Sequence, residues 1–203
     1  EIQPTYTTMP QNDRNLVEQT RQDYESFPSM GLVHGVQKDA IQNGIGARTQ
    51  KNISKACRGD WSFNFEIIDI KGKPALSFWD EGTYGLTGQI LTKSQINEQS
   101  ADGGLGVDYA NERLSRFLSR FESGGNAGPG SFGRGKLIFQ AASIERSILI
   151  DSLRSDDNQY IAFDRYFDKN QLMQPDPPLQ NDEAERFAIQ QSCGALTPLS
   201  KPG

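Results

Sequence analysis

The chain has 203 residues, with 21 lysine and arginine against 26 aspartate and glutamate, for a formal net charge of −5. That length allows one domain with core enough for independent stability, and the acidic balance excludes a broad nucleic-acid-binding face. One histidine and two cysteines exclude a histidine-based triad, a multi-histidine metal site and a disulfide framework, leaving Cys57 and Cys193 as free thiols, one of them buried.

Residues 1–12 read as an extended arm and residues 15–24 as a short helix. Leu32, Val33, Val36, Ala40, Ile41 and Ile45 recur at helical spacing, which predicts a helix over 31–48 with Ser29 as N-cap. On it Asp39 and Asn43 are four apart and share a face. A carboxylate there can take a proton from water, and a carboxamide oxygen is a hard ligand for magnesium. His34 on the same helix is expected to be structural or at the surface. A phosphoacceptor histidine needs a dimerising helical hairpin, and the segment before His34 is too short for one.

Trp61, Phe63, Phe65 and Ile67 alternate with Ser62, Asn64 and Glu66, the period of a half-buried strand. A turn at 71–74 leads to a second strand over 75–79, so the hairpin delivers Asp80 at a strand end, where a rigid scaffold can present it. Asp80 opens the run DEGTYG at 80–85. Glycines let a backbone approach a ligand closely and adopt positive φ without strain.

Residues 87–130 read as a lid, with a glycine-rich stretch at 102–106. Within it a core-facing helix is marked by Leu114, Phe117, Leu118 and Phe121, its Arg113, Arg116 and Arg120 turned to solvent. A second glycine cluster, GSFGRG at 130–135, then runs through Lys136 into a helix over 136–144, whose N-terminus attracts anions. The spacing matches a P-loop until Leu137, which stands where a hydroxyl must reach magnesium. The preceding FESGGNAGPG is also no buried strand, so a P-loop is rejected.

Residues 147–153 and 159–163 read as a further antiparallel hairpin turning at 156–158. A polar, proline-bearing stretch follows from Arg165, then a helix over 182–192 bounded by Asn181 and Gly194, then a linker over 196–203. Two glycine clusters, one led by a carboxylate and one opening a helix, point to a nucleotide site with one end for a base and one for phosphates.

The order D-x-x-x-N on a helix, D-x-G-x-x-G after a strand and G-x-F-G-x-G-K opening a helix resembles the GHKL ATPases. That superfamily includes DNA gyrase, heat-shock chaperones, sensor histidine kinases, mismatch-repair proteins and the microrchidia ATPases. The likeness spans about residues 32–163. It implies a Bergerat-type ATP-binding fold: an α/β two-layer sandwich with a mixed, mostly antiparallel sheet and helices on one face. The ATP-binding domain would cover 13–164 with its lid at about 87–130. Residues 165–203 would be an insertion and linker, the domain stopping before a last strand that carries a Gly-Thr pair.

The resemblance also implies roles. Asp39 stands at the catalytic position and Asn43 at the magnesium ligand. Asp80 accepts from the adenine amino group, Gly82 and Gly85 leave room for the base, and Leu86 joins them in binding ATP. Gly130, Phe132, Gly133, Gly135 and Lys136 form the box that closes over the phosphates. The chain departs from the common pattern in having Asp39 for glutamate, Gly46 for an acidic residue, and one extra residue in the first box.

The implied activity is magnesium-dependent ATP binding with slow hydrolysis to ADP and phosphate. Lid closure would switch dimerisation or a C-terminal effector module outside this chain. The alternatives are a non-hydrolysing ATP sensor and a degenerate interaction scaffold. No apolar run approaches the ~18–20 residues of a membrane span and no signal peptide is visible, so a cytoplasmic protein without membrane association is expected, with no nucleic-acid contact by this domain.

Overall fold

A computed structural model describes residues 2–8, 12–26, 31–49, 60–101, 112–118, 135–169 and 171–203. Ser29, Cys57, the glycine-rich 102–106, Arg120, Phe121, Gly130, Phe132 and Gly133 lie outside the described residues.

In chain order the elements are β1 (Tyr6–Thr8), α1 (Asn12–Ser26), α2 (Leu32–Gly46), β2 (Ser62–Ile70), β3 (Lys73–Glu81), α3 (Lys93–Ala101), α4 (Arg113–Leu118), α5 (Gly135–Ala142), β4 (Ile148–Leu153), β5 (Tyr160–Asp168), β6 (Gln171–Pro175), β7 (Leu179–Gln180) and α6 (Asn181–Gln191). The protein is a mixed α/β structure in which every strand pairing is antiparallel among the described residues. One sheet runs β1-β6-β5-β4 with β7 also on β5, and β2 and β3 form a separate hairpin.

Alternation along β5 builds the layers. Ile161 and Phe163 face Ile96 of α3 and Leu114 and Leu118 of α4. Tyr160 and Ala162 face the other way, onto Ala184, Phe187 and Ala188 of α6. The expected single helix layer is therefore corrected: α6 covers the opposite face of the sheet. Side chains such as Phe163 and Phe187 are wholly buried, and each such burial stabilises by about 1.5–3 kcal/mol. Further along the first face, Phe167 meets Leu16 and Val17 of α1 and Leu137 and Ala141 of α5. Helix α5 packs against α1 and α2, and its Phe139 lies 5.1 Å from the Phe78 ring of β3.

The β2–β3 hairpin forms as expected, pairing Phe63 with Asp80, Phe65 with Phe78 and Ile67 with Leu76. It turns through Lys71 and Gly72, both at positive φ (55° and 77°), which matches the twist of a two-residue hairpin connection. Phe63 is the member of the apolar face nearest the helices. Phe65 and Ile67 are 72% and 77% exposed, so the expected half-burial holds only near the start of the strand.

Several local expectations shift. Helix α2 begins at an N-cap Gly31 that has no side-chain cap bond; the expected cap, Ser29, lies outside the described residues. The N-cap of α6 is Gln180 rather than Asn181, while Gly194 closes its C-terminus at φ 80° by donating to the Ile189 carbonyl at 2.7 Å. Leu114 and Leu118 are core residues as read. Arg113 is not in solvent: it is half-buried with its guanidinium 4.9 Å from the Tyr84 ring. Residues 165–203 contribute β6, β7 and α6, and Arg165 is buried, bonded to Gln174 Oε1 at 2.5 Å and the Phe117 carbonyl at 3.0 Å. Cys193 is a free, exposed thiol.

Candidate functional site

The end of β3, the C-terminal half of α2 and the end of β4 converge on the DEGTYG loop. Asp80, the penultimate residue of β3, has its carboxylate against the backbone of α2 at Gly44. A Cβ at that position would stand 2.9 Å from Asp80 Oδ2 and 3.2 Å from Phe63 Cδ2. Asn43 is the next residue on α2 and Asp39 lies one turn earlier. The sequence-predicted Asp39, Asn43 and Asp80 are thus carried by one helix–strand contact.

Thr83 donates its hydroxyl to Asp80 Oδ1 at 2.9 Å, and among the described residues no group is bonded to Oδ2. Burial pushes the Asp80 carboxyl above the usual carboxylate range, opposed by the Thr83 bond. A partly desolvated acceptor with one oxygen that no described group bonds suits an N–H donor, since hydrogen bonds to an ionised acceptor are about twice as strong as neutral ones.

The loop behind Asp80 is held from two sides. Gly82 and Gly85 have φ of 77° and 66°, conformations that glycine adopts without a Cβ penalty. Toward α2, Tyr84 N donates to the Ala47 carbonyl at 2.9 Å, and Arg48 and Thr83 form an isolated bridge. Toward β4, a Cβ on Gly85 would be 2.7 Å from the Leu153 carbonyl and 2.8 Å from Ser152 Oγ. Ser155 donates to the Tyr84 carbonyl through both its amide (3.1 Å) and its hydroxyl (2.9 Å). Leu86 N donates to Ser152 Oγ at 2.9 Å, and the Leu86 side chain joins the core around Ile161 and Phe163. One step on, buried Arg154 contacts Asp156 and Asp157 and donates to the Gly88 carbonyl.

Residues 202 and 203 complete the loop's surroundings. Gly82 N and Thr83 N both donate to the Pro202 carbonyl, at 2.9 and 3.2 Å. Gly203 N donates to the Leu153 carbonyl at 3.1 Å, and Ser152 Oγ donates to the Gly203 carbonyl at 2.6 Å.

On α2, Asp39 is half-buried and Asn43 exposed. Burial pushes the Asp39 carboxyl up, while Lys38 and a hydrogen bond from the Tyr24 hydroxyl pull it down. Gly135 and Lys136 open α5, which packs against α2. The rest of the second box, Gly130, Phe132 and Gly133, lies outside the described residues.

Four contributors escaped the sequence reading. Gly44 carried a usable signal, because a helix-interior glycine costs about 0.5–1 kcal/mol relative to alanine and asks for a packing reason. Thr83, three residues after Asp80, is an ordinary local side-chain pattern for a turn. Tyr24 and Ser152 had no signal, since each reaches the site only through tertiary packing. Among the described residues no group of three or more His, Cys, Asp or Glu could hold a metal. No protein-family model, curated protein or solved structure matches the chain.

Proposed function

We propose that this chain binds ATP with magnesium in a Bergerat-type site and hydrolyses it slowly. The observation that carries the reading is the seating of the Asp80 carboxylate under Gly44, on the helix that bears Asp39 and Asn43 and directly ahead of the positive-φ glycines 82 and 85. Asp80 Oδ2 would accept from the exocyclic amine of adenine, with Thr83 holding the other oxygen. The absent side chain at Gly44 lets the α2 backbone close on that acceptor, and the one at Gly85 lets the end of β4 close on the loop behind it. The N-terminus of α5 would face the phosphates.

Asn43 fits a magnesium ion. An exposed amide oxygen supplies one protein ligand, and magnesium characteristically completes its shell with waters and phosphate oxygens. Bound there, it would neutralise phosphate charge. Asp39 would accept a proton from water as the water oxygen bonds the γ-phosphorus and the bond to the β-phosphate breaks. Positioning and charge neutralisation would supply most of the rate. Lid closure over bound ATP would then favour dimerisation or switch an attached effector, in the cytoplasm.

Calorimetry with magnesium-ATP tests the binding step. Micromolar-to-millimolar affinity in the wild type that weakens about 10–150-fold in Asp80→Asn, the worth of one hydrogen bond to a charged group, supports it. Equal affinities, or no binding at all, would overturn it.

A further inference from the structure

Pro202 and Gly203 bridge two elements that belong to different sheets, the end of β4 and the loop that follows β3. On the β4 side Gly203 N donates to the Leu153 carbonyl at 3.1 Å, and the Gly203 carbonyl accepts from Ser152 Oγ at 2.6 Å. On the other side the Pro202 carbonyl accepts from Gly82 N at 2.9 Å and from Thr83 N at 3.2 Å. A Cβ on Gly203 would run into the Asp80 carbonyl, so this strap lies against the backbone of Asp80 only because the position has no side chain.

The consequence runs through Thr83. This residue is 1% exposed, and its two donors point to different partners: the amide to Pro202, the hydroxyl to Asp80 Oδ1 at 2.9 Å. With the amide pinned, a β-branched side chain has few χ1 rotamers left, and its hydroxyl is aimed at one place. A carboxylate held by one oxygen no longer samples all its staggered rotamers. Oδ2, the oxygen beside Gly44 of α2, is then an acceptor with a set direction. Three steps thus tie the carboxylate to the edge of the main sheet: β4 to Gly203, Pro202 to Thr83, and Thr83 to Asp80.

We propose that Pro202 and Gly203 are a positioning strap for Asp80, fixing Thr83 against β4 so that the carboxylate selects adenine over guanine. The proposal rests on the ATP-binding reading above. Where adenine carries its exocyclic amino donor, guanine carries an oxygen acceptor. A carboxylate held as an acceptor pairs with the first and repels the second. Released from Thr83, the side chain turns among its rotamers and can reach guanine's own amino donor instead.

Three variants of the whole chain test it. Thr83→Val deletes the hydroxyl with little change of shape, and Thr83→Ser keeps a hydroxyl. Gly203→Ala drives the strap off the Asp80 carbonyl and leaves Thr83 intact. Where Gly203→Ala does not fold, Ser152→Ala replaces it by removing one of the strap's ties to β4. Affinities for magnesium-ATP and magnesium-GTP would be measured for each beside wild type and Asp80→Asn, and the ¹³C resonance of the Asp80 carboxyl titrated without nucleotide. Wild type should prefer ATP. Thr83→Val and Gly203→Ala should weaken ATP about 10-fold, the low end for a hydrogen bond to a charged group, and leave GTP where it was. Thr83→Ser should keep the wild-type preference. The Asp80 midpoint should rise in Thr83→Val and Gly203→Ala, because the Thr83 bond holds that carboxyl down against burial. A merely structural role would lower the melting temperature and weaken both nucleotides together, leaving their ratio and the midpoint unchanged.

If wild type binds ATP and Asp80→Asn binds it more weakly, but wild type shows no preference over GTP or the strap variant keeps the wild-type ratio, the ATP reading survives and the strap falls. A ratio that falls in Thr83→Val alone has the same meaning. If wild type binds no ATP, or Asp80→Asn binds it as tightly, the ATP reading itself has failed and the strap falls with it.

Discussion

Gly44 on α2 and Asp80 on β3 are in such close approach that the helix backbone itself forms one wall of the carboxylate's environment. Gly44→Ala sets two effects against each other. Alanine gains about 0.8–1.0 kcal/mol of helix propensity, while overpacking costs about 1–3 kcal/mol. The neighbours are a carboxylate and the edge of the Phe63 ring, neither a loose chain end, so the clash should win by about 1 kcal/mol. The melting temperature should fall by about 2–4 °C per kcal/mol, and ATP affinity with it. A variant as tight for ATP as wild type would remove Asp80 Oδ2 as the acceptor.

Asp80→Asn should stabilise the nucleotide-free protein. The folded carboxyl is raised above its unfolded value, chiefly by burial. Its contribution to stability is therefore full below the unfolded pKa, about 3.9, and is lost as pH rises through the folded pKa. At neutral pH the buried charge is a cost that the amide removes while its oxygen can still accept from Thr83. Thermal unfolding should show the variant above wild type at pH 7, with the gap closing as pH falls through the folded pKa towards about 4. A variant less stable than wild type at pH 7 would contradict this balance.

Asp39→Asn should keep ATP binding and lose turnover by about 10²–10⁴-fold, the usual worth of a general base. The amide preserves the shape, but it cannot take the proton from water. Phosphate release measured at saturating magnesium-ATP decides the point, and brisk turnover by the variant would rule Asp39 out.

Ser152→Ala tests the β4 side of the loop. The buried hydroxyl accepts from Leu86 N and donates to the Gly203 carbonyl. Its removal leaves a backbone donor unpaired, which costs about 1–3 kcal/mol. Unfolding by denaturant should show that loss with an unchanged m-value, and ATP affinity should fall as the loop loosens. A stability within experimental error of wild type would mean that this bond does not anchor the loop.

What could be read without coordinates was local in origin. The 3.6-residue recurrence of Val36 and Ala40, both buried on α2, the two-residue alternation through Phe63 and Phe65, and a hairpin turn read at 71–74, which the structure tightens to Lys71 and Gly72, are all set within a few residues along the chain. Asp80 at a strand end followed from the same logic. The weaknesses were local too: Arg113 read as solvated because its helical position is polar, yet Tyr84 covers it from another part of the chain.

The sequence by itself determined helices α1, α2, α5 and α6 and the two hairpins β2–β3 and β4–β5, though not α3, β6 or β7, and also that Asp39 and Asn43 share a helix face and that glycines follow Asp80. Those properties depend on backbone sterics and side-chain period between near neighbours. Only the tertiary structure decided that Gly44 brings α2 down onto Asp80, that α6 takes the second face of the sheet, and that Tyr24 and Ser152 reach the site at all. Each of these is a contact between segments far apart in the chain, selected by how whole apolar faces such as Ile161–Phe163 and Tyr160–Ala162 are buried together, and no short-range pattern encodes that choice.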